Sequence, residues 1–196
     1  MKRDNKTQYA LLGVLTRHEC SGYDIKKFIE NSIGYFWQES FGQIYPNLKK
    51  MEKEGLIKSR TVSDKKPSGK KSKKTGKTAG EKTVYSITKK GQKKLTDWLK
   101  LPVENSSYRN ELLLKLFFGR QMNARDIENH LSTKQLYLEK ILNEYRAVQR
   151  QIEEHGYKSP DRPYWLMTLD FGIRAARAEL DWIDSAKKNP LSSKKS

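Results

Sequence analysis

The sequence contains little of what disulfide frameworks, metal sites and membrane spans require. Among 196 residues there is one cysteine, Cys20, and the three histidines are far apart at His18, His130 and His155. A single cysteine excludes an intramolecular disulfide, and scattered histidines lack the spacing of a zinc site. No run of about 20 apolar residues is present, and the polar segment Met1–Tyr9 is unlike a signal peptide. These absences favour a soluble cytoplasmic protein with no membrane association, metal or cofactor.

The groups that mark an enzyme's active site are also missing. The sequence has no glycine-rich phosphate loop, no cluster of metal ligands and no spaced set of nucleophile, base and orienting residue. His18, Cys20 and Ser21 lie close together in sequence, but Ser21 is better explained as the cap of a helix. We therefore expect a protein that is not an enzyme.

Positive charge is abundant and unevenly distributed. The formal net charge is +17. Residues 1–101 contain 24 Lys or Arg against 10 Asp or Glu, a net of +14, whereas residues 102–196 contain 16 against 13, a net of +3. Solubility alone does not require so unequal a distribution. The charge of the N-terminal half indicates a polyanionic partner, and nucleic acid is the natural one.

The N-terminal half is predicted to form four helices and one hairpin. Apolar residues recur at helical spacing, and capping residues or glycines mark the ends, in Thr7–Arg17, Ser21–Gly34, Ser40–Gly55 and Lys89–Leu101. Asp24 completes a capping box with Ser21, and Gly34 is expected to end the second helix in a left-handed conformation. Alternating residues predict strands at Leu56–Val62 and Thr83–Ile87. Short helices followed by a basic hairpin are typical of a winged helix-turn-helix.

The third of these helices has the pattern of a recognition helix. Ile44, Leu48 and Met51 recur at i, i+4 and i+7 and predict a buried face. Pro46 is expected to be tolerated because it falls in the first turns. The exposed side and amino end would then present polar groups to base edges and phosphates. The helix residues predicted to bind DNA are Ser40, Gln43, Tyr45, Lys49 and Lys50.

The segment between the two strands is predicted to be an extended basic wing tip. Residues 64–82 contain eight lysines against two acids, with few apolar residues, so we expect this segment to be disordered in isolation. On DNA its ammonium groups would contact the phosphate backbone, although a solvated loop that contributes little is the alternative. The wing lysines predicted to bind DNA are Lys65, Lys66, Lys70, Lys71, Lys73, Lys74 and Lys77.

The C-terminal half is predicted to be a helical dimerisation domain. Glu111–Gly119 is too apolar for an exposed helix, and long helices are expected from Asn123 to about Glu154 and over roughly Asp161–Lys187. Both long helices carry heptad-like seams. The two seams could pair only with each other, but we favour a pair that also packs against a second copy. The residues predicted to form the dimer are Leu138, Ile141, Tyr145, Val148, Leu166, Leu169, Ile173, Leu180 and Ile183.

Several motifs, in this order, resemble those of the PadR family of transcriptional regulators. They are YALLGVL at Tyr9–Leu15, SGYDI at Ser21–Ile25, FW at Phe36–Trp37, GQIYPNLKKMEKEGLI at Gly42–Ile57, YSITKKG at Tyr85–Gly91 and ELLLKLFF at Glu111–Phe118. The tyrosine–proline pair followed by EGLI is the most specific of them. The length resembles the larger subgroup, which has a helical C-terminal dimerisation domain. The wing is longer and more basic than the family pattern.

The resemblance implies a mainly helical fold with a small hairpin and a specific function. The winged helix-turn-helix domain is expected at residues 1–101, the dimerisation domain at 102–188 and a flexible tail at 189–196. The implied function is a homodimeric repressor that binds a palindromic operator and is released by a small aromatic, phenolic effector. The aromatic residues expected to supply the effector pocket, between the two halves, are Tyr9, Trp37, Trp98, Tyr164 and Trp165.

One other function fits the charge of the N-terminal half. A protein that coats DNA without an operator or an effector would also use a basic wing. The ratio of operator affinity to random-DNA affinity distinguishes the two functions.

Overall fold

The computed structural model describes residues 5–63, 81–104, 109–155 and 158–188. Two compact units, Met1–Glu104 and Asn105–Ser196, make up the chain. The described residues form seven α-helices and one two-stranded antiparallel sheet, which confirms the predicted mainly helical class with a small hairpin. Residues 64–80 of the predicted wing tip and the predicted tail at 189–196 lie outside the described residues.

The first unit contains four helices and the hairpin. Its elements are α1 (Lys6–Leu15), α2 (Gly22–Ser32), α3 (Phe41–Lys53), β1 (Ile57–Ser63), β2 (Glu81–Ile87) and α4 (Lys89–Leu99). The inward residues of these elements share one core because each helix is apolar on one face only. The largest fully buried side chains of this core are Leu11, Leu12, Ile25, Ile29, Ile44, Leu48, Met51 and Ile57.

The helix ends show where local sequence was sufficient and where it was not. Ser21 N–H donates to Asp24 Oδ2 at 3.0 Å and Asp24 N–H donates to Ser21 Oγ at 3.2 Å, which confirms the capping box. The prediction that Gly34 ends α2 in a left-handed conformation was wrong. Helix α2 ends at Ser32, and the N–H groups of Phe36 and Trp37 donate to Ile33 O, so the chain continues in a right-handed turn. Gly55, with φ of 69°, is the described glycine in the left-handed region, where the chain turns from α3 into β1.

The hairpin is tied to the helices by a third extended segment. Strands β1 and β2 pair in register from Ile57 opposite Ile87 to Ser63 opposite Glu81. On the free edge of β2, Cys20 N–H donates to Tyr85 O at 3.2 Å and Tyr85 N–H donates to Cys20 O at 2.9 Å. The turn between α1 and α2 therefore fixes the base of the hairpin relative to the helices.

The second unit is built on an antiparallel pair of long helices. Its elements are α5 (Glu111–Phe117), a short 3-10 helix (Gly119–Gln121), α6 (Ala124–His155) and α7 (Arg162–Lys188). Lys187 Nζ donates to Ser132 Oγ at 2.8 Å, while the Tyr145 ring lies against Gly172, where a Cβ would come within 3.1 Å. The end of α7 thus lies beside the start of α6. None of the described helices combines the length and the apolar character needed to cross a membrane.

Candidate nucleic-acid interface

Helix α3 has a buried face and an exposed face, as its pattern predicted. Ile44, Leu48 and Met51 are fully buried in the core of the first unit. All five helix residues predicted to bind DNA are exposed, four of them on α3 and Ser40 at its amino end. These five residues are Ser40, Gln43, Tyr45, Lys49 and Lys50.

The side chain of Gln43 is ordered by the amino end of α3. Ser40 N–H donates to Gln43 Oε1 at 2.9 Å, and Gln43 N–H donates to Ser40 O at 3.0 Å. The side-chain oxygen is therefore engaged, which leaves the amide nitrogen as the group that can donate to a ligand. A side chain held in this way loses less conformational entropy on binding than a free glutamine would.

An aromatic row that the sequence reasoning missed joins α2 to α3. Phe41 stacks between Tyr23 and Tyr45, with ring centroids 6.4 and 5.9 Å apart. The ring of Tyr45 lies over Gly22, where a Cβ would come within 2.7 Å, and the Lys26 ammonium lies 5.2 Å from the Phe41 centroid. The spacing of Phe41 and Tyr45 at i and i+4 was a signal for part of this row. Packing against α2 thus sets the direction of Tyr45.

The lysines predicted to contact phosphate differ in their surroundings. Lys50 Nζ lies 3.8 Å from Glu54 Oε1, an exposed pair that water screens strongly. Lys49 forms no ion pair with the residues that the structure describes. The seven wing lysines fall outside the described residues, so their contacts remain predictions.

Two ion pairs join the hairpin to α2 and to the turn before it. Arg60 Nε donates to Glu19 Oε2 at 3.0 Å, and Lys82 Nζ lies 2.7 Å from Asp24 Oδ2. The hydrogen bond from Arg60 lowers the pKa of the Glu19 carboxyl. Burial works to raise the pKa of Asp24, but hydrogen bonds from Lys82 and Ser21 outweigh it and lower the pKa. Both pairs are exposed and contribute little, so the backbone bonds between Cys20 and Tyr85 do more to position the hairpin.

Two of the five predicted effector aromatics contact each other. Tyr9 and Trp98 stack with ring centroids 4.3 Å apart and planes 6° apart. Trp37 does not share this contact, since its Nε1–H donates to the buried Glu39 at 2.8 Å. Tyr164 and Trp165 begin α7 in the second unit, where Tyr164 is exposed and Trp165 half-buried.

A groove of about 590 Å³ lies beside the Tyr9–Trp98 stack. Leu56 and Leu101 complete its apolar surface. Its charged residues come from α4 and the end of α3. They are the three lysines Lys90, Lys93 and Lys94 and the two acids Glu54 and Asp97. Each of these lysines already contacts an oxygen of Asp97 or Glu54. The groove therefore offers a flat apolar surface with a charged rim.

The predicted dimerisation residues are used largely within one chain. Leu138, Tyr145, Leu169 and Ile183 are buried between α6 and α7. The other five are half-buried and are Ile141, Val148, Leu166, Ile173 and Leu180. The most buried residues of both seams are thus explained by pairing of α6 with α7 within one chain, which was the alternative to pairing with a second copy.

A different apolar surface remains uncovered in the second unit. No residue of α5 is buried, although this helix was predicted to be covered nearly all round, and Phe117 is 82% exposed. On α7, Tyr164, Met167 and Phe171 recur at i, i+3 and i+7 and form an exposed row, with Phe171 71% exposed. Sequence periodicity missed this row because the seam beside it is the more regular one.

The first unit has the architecture of a winged helix-turn-helix DNA-binding protein. Its α3 presents an exposed polar face, and its hairpin is anchored beside α2 with a lysine-rich sequence between the strands.

Comparison with known proteins agrees with this class. Residues 11–97 match the model of the "Transcriptional regulator PadR-like family", and residues 108–189 match "Virulence activator alpha C-term". The "Negative transcriptional regulator PadR" of Bacillus subtilis is 30% identical over 184 residues, covering 91% of this chain and 93% of that protein. The chain belongs to the PadR-like family of transcriptional regulators. It is therefore a DNA-binding regulator and not an enzyme.

Two solved structures of Bacillus subtilis PadR are similar along nearly the whole chain. The complex with operator DNA has a TM-score of 0.73 at 27% identity and covers 92% of this chain and 96% of that one. The complex with p-coumaric acid has a TM-score of 0.69 at 25% identity with the same coverage. That regulator therefore binds both operator DNA and p-coumaric acid.

Proposed function

We propose that the protein is a homodimeric repressor that binds a palindromic operator through α3 and releases it when a small phenolic acid binds. The observation that carries the proposal is the exposed face of α3, with Gln43 held in place at its amino end by Ser40. The operator complex of the similar Bacillus subtilis regulator supports DNA as the partner of this face. Lys49, Lys50 and the wing lysines would contact phosphates.

The homodimer is supported by the apolar surface of the second unit. Helix α5 has no buried residue in a single chain, and α7 carries an exposed apolar row. Exposed apolar surface of this kind marks an interaction site. One recognition helix reads only a few base pairs, whereas a two-fold dimer reads two half-sites, so a second copy is the partner that serves the function best.

Replacing Gln43 with alanine should reduce specificity for the operator. We expect operator affinity to fall by about 1–3 kcal/mol, with little change on random DNA, because the variant cannot form the base contact but keeps those to phosphate. Affinities would be measured by fluorescence anisotropy on an operator fragment selected from genomic DNA and on a random fragment of equal length.

The exposed Gln92 of α4 provides the matched control, since Gln92→Ala removes the same group away from α3. Equal losses of affinity on the operator and on random DNA would contradict the role of Gln43. A wild-type protein that binds both fragments equally would instead favour the DNA-coating function.

The proposed effector site is the groove beside Tyr9 and Trp98. The stacked rings of Tyr9 and Trp98 give this groove a flat apolar side. A phenolic ring would lie against the apolar side of the groove, while the carboxylate would contact the lysines of α4. Release follows only if the effector prefers the conformation that does not bind DNA.

In the wild type, saturating p-coumaric acid should weaken operator binding about 5- to 150-fold, the usual range of coupling between two sites. Trp98→Leu should abolish this response because the variant lacks the ring surface of the groove. Operator affinity would be measured with and without the acid, and thermal unfolding would show that the variant is folded. Trp182→Leu, on α7, is the matched control. A full response in Trp98→Leu would exclude the groove, and unchanged wild-type affinity at saturation would exclude release by this acid.

A further inference from the structure

Gly42 is a glycine that the fold does not require. It is the second residue of α3, it is exposed, and its φ is not in the left-handed region. A Cβ added to it would meet nothing closer than Ser40 Oγ at 3.6 Å, an ordinary contact distance. Glycine is among the least favourable residues for a helix. Neither local conformation nor packing within the chain therefore explains its presence.

Pro46, four residues later, removes the helical donor of the Gly42 carbonyl. It is the sixth residue of α3, within the first two turns, and the helix continues past it, so the proline is tolerated there as expected. Proline has no N–H, and its ring crowds the carbonyl four residues earlier. The next carbonyl, Gln43 O, accepts a bond from Asn47 Nδ2 at 2.8 Å. The Gly42 carbonyl thus lacks its i+4 partner at a place where the helix surface is bare.

The two residues lie on the exposed face of the recognition helix. Gly42, Tyr45, Pro46 and Lys49 are all exposed and follow one another at i, i+3, i+4 and i+7. Phosphate oxygens only accept hydrogen bonds, so a main-chain carbonyl does not pair with the DNA backbone. In the major groove the donors are the amino groups N6 of adenine and N4 of cytosine.

We propose that Gly42 and Pro46 together form a main-chain reading site. The Gly42 carbonyl accepts a hydrogen bond from the amino group of an adenine or a cytosine in the operator. The absent Cβ lets that base approach the helix closely. This inference rests on the proposed function, since it requires α3 to lie in the major groove.

The test uses three variants of the full-length chain: Gly42→Ala, Pro46→Ala and the control Gly13→Ala. Gly13 lies in α1, and a Cβ there would also meet nothing within 4 Å. Thermal unfolding would be measured for each variant. Affinity would be measured on the selected operator, on random DNA and on operators with each base pair of one half-site substituted in turn.

The unfolding temperature of both glycine variants should be unchanged or up to about 4 °C higher than that of the wild type, because alanine favours a helix. Gly42→Ala should nevertheless bind the operator about tenfold more weakly, with little change on random DNA. Pro46→Ala should raise the midpoint and lose the preference for adenine or cytosine at one operator position. Gly13→Ala should bind like the wild type.

Operator affinity equal to the wild type in Gly42→Ala would overturn the inference, as would base preferences unchanged in Pro46→Ala. A midpoint lowered by several degrees in Gly42→Ala would also overturn it, since the fold would then require the glycine. If the wild type prefers the operator and Gly42→Ala binds it as tightly as the wild type does, only this inference fails. If the wild type does not distinguish operator from random DNA, the proposed function fails as well.

Discussion

Replacing Phe117 and Phe171 together with glutamate is expected to convert the proposed dimer to a monomer and to weaken operator binding by about three orders of magnitude. These side chains are 82% and 71% exposed in the single chain, and they lie on the two uncovered apolar elements of the second unit. Burying one phenylalanine contributes about 1.5–3 kcal/mol, and a glutamate in its place would have to be buried without a partner. Specific affinities are about 10⁻⁸–10⁻¹¹ M and non-specific ones about 10⁻⁴–10⁻⁶ M, so losing one half-site has a large effect.

Molar mass in solution would be measured by light scattering, and affinity on a full operator and on a single half-site. Val103→Glu places one such glutamate at a residue that is 93% exposed in the first unit, and it should change neither mass nor affinity. A double variant that keeps the mass of a dimer would show that this surface is not the interface. A monomer that binds the full operator as tightly as the wild type would show that pairing is not needed for recognition.

Sequence periodicity was a good guide to the first unit because the determinants there are local. The spacing of Ile44, Leu48 and Met51 is enough to define the buried face of α3, and Ser21 with Asp24 is enough to place the start of α2. Alternation identified both strands, because an anchored hairpin has distinct faces. Helix ends were less predictable, since the conformation at Gly34 depends on the turn that follows it.

Tertiary contacts account for what the sequence could not indicate. The direction of the Tyr45 side chain depends on its packing over Gly22. The aromatic row also includes Tyr23, which lies 22 residues before Tyr45 in the chain, too far for a sequence pattern to connect the two. The hydrogen bond from Ser40 to Gln43 determines which atoms of the glutamine remain for DNA. The first contact arises where α2 and α3 meet, and the second arises where α3 begins. Neither leaves a trace in the hydrophobic pattern from which the helices were predicted.

The second unit shows a limit of heptad reasoning. A regular seam shows that a helix has a partner, but it does not show whether the partner is in the same chain. Leu138 and Ile183 are buried between α6 and α7 of one chain. The apolar surface that remains exposed is α5 and the outer row of α7, where apolar residues are fewer and less regular. Exposure in the folded chain, and not periodicity, identifies that surface.

Replacing Lys70, Lys71, Lys73 and Lys74 of the wing with alanine is expected to weaken binding to the operator and to random DNA alike. For every phosphate that a lysine no longer neutralises, the slope of log affinity against log salt should become shallower by about 0.9. Raising the salt concentration from 50 to 200 mM weakens DNA binding. If all four lysines contact phosphate, this loss of affinity should be about a hundred times smaller in the wing variant than in the wild type. The ratio of operator to random affinity should stay nearly constant, because base contacts belong to α3.

A second variant separates local contact from overall charge. Alanine at Lys140, Arg150, Lys158 and Lys188 also lowers the net charge from +17 by four, to +13, but all four positions lie in the second unit. If the wing touches DNA, only the wing variant loses salt dependence. If long-range attraction alone is involved, the two variants change equally and only through the rate of association, which screening reduces. An unchanged slope in the wing variant would mean that the lysines stay solvated and that α3 with the base of the hairpin makes the contacts with DNA.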